Sequence, residues 1–172
     1  MFNGKKVIHI VATGLCGEIG KDNKLLWSIP QELRWFKQQT LGHVVLMGRK
    51  TFDSLPKKLD RRIVLCISGN SGSKTGACGL LDGLNQASWD SNDLNTDCIY
   101  IAGGGQLYES TNQFVDEVFI TKINKIYTFA DTYYNMPENM KRVGVVDSFE
   151  SVDRISGDEV SCVIEKWERV YE

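Results

Sequence analysis

The sequence predicts a single α/β domain, with a mostly parallel sheet, crossover helices and an antiparallel hairpin near the C-terminal end. Short apolar runs rich in branched residues alternate with segments of helical periodicity, which is typical of parallel strands joined by helices. Two long strand-like segments near the end are joined by a connection that contains the turn sequence Ser-Gly-Asp at 156–158. A length of 172 residues, with 42% hydrophobic and 24% charged residues, fits one globular domain over residues 1–172.

The predicted strands include runs rich in apolar or branched residues, such as 43–47 and 63–67, which are typical of buried strands. In chain order they cover residues 6–13, 43–47, 63–67, 98–102, 117–123, 142–151 and 159–170. A long loop that contains glycine follows the first strand and ends at Trp27. The last two strands form the predicted hairpin.

Four helices are predicted between the strands, at residues 30–41, 49–55, 81–89 and 106–111. The first has the clearest signals, because Pro30 lies in its first turn and Ser28 with Gln31 has the spacing of a capping box. The stretch 68–79 is rich in serine and glycine and predicts a long loop. It is not a linker between domains, since neither flank is long enough for a comfortable core of its own.

Composition and charge disfavour several classes of function. The net charge of −2 argues against nucleic acid or anionic membrane partners, which usually require a basic excess. Five cysteines, with no Cys-x-x-Cys pair, indicate free thiols in a reducing compartment. Both histidines lie in apolar runs, so no metal site is predicted. The apolar run at 63–67 is too short to span a membrane. We therefore expect a soluble, cytoplasmic protein.

Two predicted strands run directly into glycine and then into a short helix. The first ends at Gly48, followed by Arg49 and Lys50, and the second ends at the glycine run 103–105. Glycine lets a phosphate approach the backbone, and unpaired N–H groups at a helix start favour an anion. Each element alone is equally well explained as a tight turn. Together they favour a ligand with separated phosphates, although the spacing matches neither a Walker A nor a Rossmann motif.

Glu32 is the candidate acid or base. It shares a helical face with Trp35 and Phe36, three and four residues later, so a carboxylate lies at the edge of an apolar stripe. In an apolar cleft its pKa would be raised, as is common for catalytic carboxylates. The structural alternative is a solvated glutamate favoured by the helix dipole in the first turn, and it is the stronger reading when the residue is judged alone.

Other candidate positions also have simple structural explanations. Thr121 suits a β-strand by propensity alone. Arg61 and Arg62 fit a solvated loop, with a bidentate contact to a ligand carboxylate as the functional alternative. The Asp131-Thr132 pair is most often part of a turn.

Taken together, these segments resemble dihydrofolate reductase. The resemblance extends over residues 7–167 and is weakest over 69–95. It is carried by the order and spacing of several blocks, which lie at residues 19–20, 27–37, 47–55 and 103–105, with Tyr108 and Thr121.

The resemblance implies a central twisted sheet of about eight strands, mostly parallel with an antiparallel strand in the C-terminal hairpin, flanked by about four helices. It also implies transfer of a hydride from NADPH to 7,8-dihydrofolate, giving tetrahydrofolate for one-carbon metabolism and thymidylate synthesis. A monomer that binds antifolate inhibitors in the substrate site is expected. The Gly103–Gly104 peptide is expected to be cis.

The resemblance also assigns roles to individual residues. Glu32 would hold the pterin, with Thr121 supporting it and Trp27 positioning a water molecule. Leu25 belongs to a lid over the nicotinamide, formed by residues 14–26. Arg61 would grip the glutamate tail of the substrate, or Arg62 if a one-residue gap near residues 59–60 is placed differently.

The implied substrate site lines the pterin and its tail: Ile10, Val11, Glu32, Leu33, Phe36, Lys37, Leu55, Arg61, Ala102, Tyr108 and Thr121. The implied cofactor site follows the glycine-bearing strand ends and the lid: Ala12, Ile19, Gly20, Gly48, Arg49, Lys50, Thr51, Ser68, Gly103, Gly104, Gly105, Gln106, Leu107, Tyr108 and Thr132. Within it, Arg49, Lys50 and Ser68 would contact the 2′-phosphate.

Two rival functions stay open. One is the related reductase of riboflavin synthesis, which is expected to lack the acid within the Trp-x-x-Pro-x-acid block that is present here. The other is a non-catalytic nucleotide-binding or assembly protein that retains the fold, which is expected to lose the acid or the glycines.

The sequence Cys16-Gly17-Glu18 is unusual for the lid of the family.

Overall fold

The computed structural model describes residues 1–68 and 79–171, which form ten strands and four helices. The strands are β1 Lys6–Thr13, β2 Glu18–Lys21, β3 Lys24–Leu25, β4 Val44–Gly48, β5 Ile63–Ile67, β6 Cys98–Ile101, β7 Glu117–Ile123, β8 Thr132–Tyr133, β9 Met140–Val152 and β10 Glu159–Arg169. The helices are α1 Pro30–Thr40, α2 Arg49–Asp53, α3 Leu80–Asp93 and α4 Gly105–Thr111. Most of the predicted loop at 68–79 lies outside the described residues.

The main sheet has seven strands in the order β5-β4-β6-β1-β7-β10-β9. The first five are parallel, and β10 runs antiparallel to both of its neighbours. The predicted α/β class and C-terminal hairpin are therefore confirmed. The expected count of about eight strands becomes seven, because three short strands form a separate sheet in the order β3-β2-β8.

The core lies on both faces of the main sheet. Along β1, Val7 and Val11 pack into one layer, whereas Ile8 and Ile10 pack into the other, together with Trp35 of α1. The alternation follows from the two-residue period of a strand. This alternation explains why most residues on both faces of β1 are apolar, since neither face meets water.

Helix α1 begins at Pro30 as predicted, but its cap differs. The N-cap residue is Ile29, and no side chain caps the helix, so the predicted capping box of Ser28 and Gln31 is wrong. The N–H of Ser28 donates instead to Oδ1 of Asp153, at 3.1 Å. A partner 125 residues away in the chain has replaced the local cap.

The loop predicted between β1 and α1 contains the hairpin β2–β3. Its turn consists of Asp22 and Asn23, with φ angles of 50° and 62°, and Lys21 pairs with Lys24 across it. Two successive residues of positive φ are the signature of a type I′ turn, which Asp and Asn tolerate. This hairpin gives the predicted lid a folded framework.

No helix within the described residues has the length and apolar character needed to cross a membrane.

Candidate active site

The two glycine-bearing strand ends lie side by side, as the sequence predicts. Strands β4 and β6 are neighbours, and the N–H of Gly48 donates to the carbonyl of Gly103 at 2.8 Å. The Gly103–Gly104 peptide is cis, as expected. Gly103 has a φ of 101°, and a Cβ there would lie 3.3 Å from the Tyr108 hydroxyl oxygen, so a side chain would be strained and crowded.

Several residues of the predicted cofactor site surround these glycines. A Cβ at Gly104 would lie 3.2 Å from Oγ1 of Thr51. A Cβ at Gly105 would lie 2.7 Å from Cγ2 of Thr132 and 4.0 Å from Cδ1 of Ile19. The structure therefore brings residues from the lid, α2 and β8 to the same glycine run.

Positive charge lies at the β4 end of this region. Arg49 and Lys50 are exposed on α2, and Nε of Arg49 lies 3.7 Å from Oδ2 of Asp53. Ser68 directly follows β5, whose last residue Ile67 pairs with Gly48. Because α2 has only five residues, the formal charges carry the attraction for an anion here.

Two members of the predicted cofactor site differ in exposure. The side chain of Gln106 is exposed at the start of α4. Leu107 is 5% exposed and packs in the core, so only its backbone is available to a ligand.

The carboxylate of Glu32 lies in an apolar setting on α1. Its side chain is half-buried, and burial raises its pKa to about 7. Burial raises the pKa of Cys162 of β10 to about 12, and the negative charge of Glu32 is the second largest cause of this rise. A carboxyl group with a pKa near neutrality can both hold and release a proton at physiological pH.

Thr121 and Trp27 carry the polar atoms that the resemblance places around Glu32. Thr121 pairs with Ile164 of β10, which packs with Trp35, so Thr121 lies on the sheet face covered by α1. Among the described residues, Oγ1 of Thr121 and Nε1 of Trp27 are buried without a hydrogen-bond partner. Buried polar atoms of this kind call for a ligand or water as partner.

The apolar walls of the predicted substrate site come mostly from one cluster. Ile10, Phe36, Leu55 and Ala102 pack together with Trp35.

Three other residues of the predicted substrate site lie elsewhere. Val11 belongs to the opposite layer, because its side chain alternates with that of Ile10, so only its backbone can face the cleft. Leu33 is 53% exposed, and Nζ of Lys37 pairs with Oδ1 of Asp60 at 3.6 Å.

Both candidates for the substrate tail, Arg61 and Arg62, pair with Asp60, but their side chains differ in burial. The side chain of Arg61 is 69% exposed and turns toward Asp60, on a residue with a φ of 52°. The side chain of Arg62 is 3% exposed, donates to Oγ1 of Thr40 at 3.3 Å and lies over the ring of Phe36. Residue 61 has a positive φ, and the side chain of the next residue, Arg62, lies beside α1, so Arg62 stays the alternative to Arg61 for the substrate tail.

Tyr108 connects the two halves of the site. It is buried, and its hydroxyl donates to the carbonyl of Ile10 at 2.7 Å while its ring lies against Gly103. This contact holds the end of β1 beside the glycine run.

The lid is fastened to the segment that follows β7. Asp131 donates its N–H to Gly20 and accepts the N–H of Asp22 on Oδ2, both at 3.0 Å. Tyr134 donates its N–H to Gly17 at 2.8 Å. The side chain of Leu25, at the end of the β2–β3 hairpin, is 56% exposed.

No sequence pattern predicted these hydrogen bonds between the lid and the segment after β7, and none singled out Glu18 or Tyr127. The one available signal was an acidic residue, Glu18, directly before Ile19-Gly20 in a segment that resembles the lid.

Comparison with known proteins agrees with this arrangement. A sequence model of the family described as dihydrofolate reductase matches residues 6–169. The chain is 37% identical over 114 residues to a dihydrofolate reductase of Haemophilus influenzae, which covers 66% of this chain and 69% of that protein. It is 35% identical over 106 residues to the Bacillus subtilis enzyme, covering 62% of each chain. A type 8 dihydrofolate reductase of Escherichia coli is 30% identical over 139 residues, which cover 77% of this chain and 82% of that protein.

The family match spans almost the whole described sheet and both glycine-bearing strand ends, and it includes Glu32, Thr121 and the lid. Fold, site geometry and relatives therefore agree, and the chain belongs to the dihydrofolate reductase family, a family of oxidoreductases.

Proposed function

We propose that the chain catalyses the NADPH-dependent reduction of 7,8-dihydrofolate to 5,6,7,8-tetrahydrofolate. The observation that carries the proposal is Glu32, a half-buried carboxylate with a pKa of about 7 on the α1 face of the sheet. On this same face Oγ1 of Thr121 is buried without a partner among the described residues. The relatives named above carry the name of this activity.

The strand-end region fits a dinucleotide cofactor. Gly48 and the glycine run 103–105 leave backbone accessible at adjacent strand ends. Arg49 and Lys50 are exposed beside them and would pair with the 2′-phosphate of NADPH. Bound NADPH supplies the hydride, and the lid would exclude water from it.

The substrate would lie between Glu32 and Arg62. Glu32 would bind the amino end of the pterin, and the wall of Ile10, Phe36 and Leu55 would hold the rings. The buried guanidinium of Arg62 would pair with the carboxylate of the glutamate tail, which the exposed side chain of Arg61 would do less well.

Glu32 would act on the proton that accompanies the hydride. Addition of a hydride leaves negative charge on the pterin unless N5 is protonated. By binding the amino end of the ring, the carboxylate would raise the proton affinity of N5. Nε1 of Trp27, which is buried without a hydrogen-bond partner among the described residues, would hold a water near the ring. Electrostatic stabilisation and general acid–base help of this kind are together worth several kcal/mol.

The direct test is to follow the absorbance of NADPH after dihydrofolate is added to the purified chain. We expect NADPH consumption that depends on dihydrofolate and is greatly reduced in Glu32→Ala. Consumption with the pyrimidine substrate of the riboflavin pathway instead would favour that rival. NADPH binding without turnover of either substrate would favour a non-catalytic protein. We propose a monomer as the active form.

A further inference from the structure

Glu18 is a buried carboxylate that the proposed reaction does not use. It is the first residue of β2, and only 1% of its surface is exposed. Its Oε1 accepts the N–H of Cys16 at 2.5 Å, and its Oε2 accepts the N–H of Tyr127 at 2.6 Å. No ion pair neutralises it within the described part of the chain. A buried charge held by two backbone donors depends on both, because each missing bond leaves the charge uncompensated.

Tyr127 also holds the far end of the lid, through Trp27 and Ser28, the two residues that directly follow residues 14–26. Its ring centroid lies 5.2 Å from that of Trp27, and its hydroxyl donates to Oδ2 of Asp153 at 3.1 Å. Oδ1 of the fully buried Asp153 accepts the N–H of Ser28 at 3.1 Å. One residue therefore meets the start of the lid through its backbone and the end of the lid through its ring and hydroxyl.

The carboxylate of Glu18 lies directly beside Gly14, in the space that a Cβ at residue 14 would occupy. A Cβ at Gly14 would overlap the carboxylate of Glu18 and lie 2.9 Å from Cδ2 of Tyr127. The carboxylate thus fills the space beside Gly14, and the carbonyl of Glu18 accepts the N–H of Gly14 at 2.9 Å. The first turn of the lid is folded around this side chain.

We propose that Glu18 is a positioning residue for hydride transfer, which acts by fastening the start of the lid to Tyr127, the residue that also holds Trp27 and, through Asp153, Ser28. The two ends of the lid are thereby fixed to one point, which sets how the lid closes over the site. This inference rests on the proposed function, because closure matters to a rate only if the site beneath it is reactive.

The test compares Glu18→Ala and Glu18→Gln with the unsubstituted chain, using steady-state kinetics and hydrogen exchange. Glu18→Ala removes both acceptors, and we expect kcat to fall about tenfold while each KM changes less than about threefold, since closure and not binding is impaired. Backbone amides in residues 14–28 should exchange at least about tenfold faster. Glu18→Gln keeps one acceptor oxygen and should recover part of both losses.

Glu117→Ala is the matched control. Glu117 is also a buried carboxylate, 7% exposed, but it pairs with Lys6 at the start of β7. It should lose stability while keeping kcat within about twofold and leaving exchange in 14–28 unchanged.

Three outcomes would overturn the proposal: a folded Glu18→Ala with unchanged kcat and lid exchange, an equal kcat loss in Glu117→Ala, or a loss confined to KM. If Glu18→Ala does not fold, Glu18→Gln decides, with an expected loss of about threefold in kcat and locally faster exchange. Failure of the proposed function is seen separately, as absence of NADPH consumption in the unsubstituted chain. In that case the exchange measurement still tests whether Glu18 fastens the lid.

Discussion

Replacing Glu32 by glutamine should stabilise the fold at alkaline pH while abolishing most activity. Burial raises the pKa of Glu32 from its usual 4.5 to about 7. Between those values the folded chain binds a proton more tightly than the unfolded chain does. The stabilising contribution of the protonated carboxyl is therefore fully present below pH 4.5, and it is lost as the pH rises through 7.

The size of the effect follows from the two pKa values. A rise from 4.5 to about 7 corresponds to about 3 kcal/mol of unfolding free energy when the group is fully ionised in both states. Glutamine has nearly the same shape and does not ionise. Glu32→Gln should thus be more stable than the unsubstituted chain by about 3 kcal/mol at pH 8.5, and by less than about 1 kcal/mol at pH 5. For a chain of this length the alkaline gain is about 6 to 12 °C in Tm.

Urea unfolding followed by circular dichroism at both pH values measures this difference directly. Glu109→Gln serves as the control, because Glu109 is exposed on α4 and its replacement should change stability by less than about 0.5 kcal/mol at either pH. A gain of equal size at both pH values, or no gain at pH 8.5, would show that Glu32 is solvated in the folded chain. Glu32 would then lack the raised pKa on which its acid–base role depends.

Three further predictions concern the ligands. Arg49→Ala and Lys50→Ala should weaken binding of NADPH more than binding of NADH, most strongly at low salt, as measured by fluorescence titration; equal losses for the two cofactors would remove these residues from the 2′-phosphate site. Arg62→Leu should raise the KM for dihydrofolate by about two orders of magnitude, with Arg61→Leu as the control that changes it less than about threefold, and the reverse ranking would return the role to Arg61. Glu32→Ala should regain activity as the pH is lowered, because solvent then protonates the substrate, whereas a pH–rate profile parallel to that of the unsubstituted chain would contradict the proposed proton path.

Much of the sheet could be predicted because its strands are buried on both faces. The predicted bounds of β1, β5 and β7 coincide with the observed ones. Most residues of these strands are apolar or branched, and each strand is followed by a polar residue or a glycine, so its ends are marked locally. The glycine-bearing ends of β4 and β6 could be placed together for the same reason, since parallel strands end at one edge of a sheet.

The remaining features depend on partners that are distant in the chain. The predicted cap of α1 is wrong because the N–H of Ser28 donates to Asp153. No local sequence pattern indicates a hydrogen bond to a residue so distant in the chain. His9 is similar: it lies in an apolar strand, fully buried, because Tyr134 and Thr111 satisfy its two ring nitrogens at 2.9 and 2.7 Å. The choice between Arg61 and Arg62 required the φ angle of residue 61, which side-chain type alone does not determine.

The contact between Gly14 and Glu18 restricts the order in which substitutions at these two positions can be acquired. Any side chain at position 14 would overlap the Glu18 carboxylate, so such a substitution is harmful while glutamate is present. Shortening residue 18 first would open the space, but it would also leave the N–H groups of Cys16 and Tyr127 without an acceptor. The two positions are therefore epistatic, with a poorly stable intermediate on either path. A paired library at 14 and 18 should yield stable double variants in which the new side chain at 14 supplies an acceptor for these N–H groups, while their single parents are absent from the selected pool.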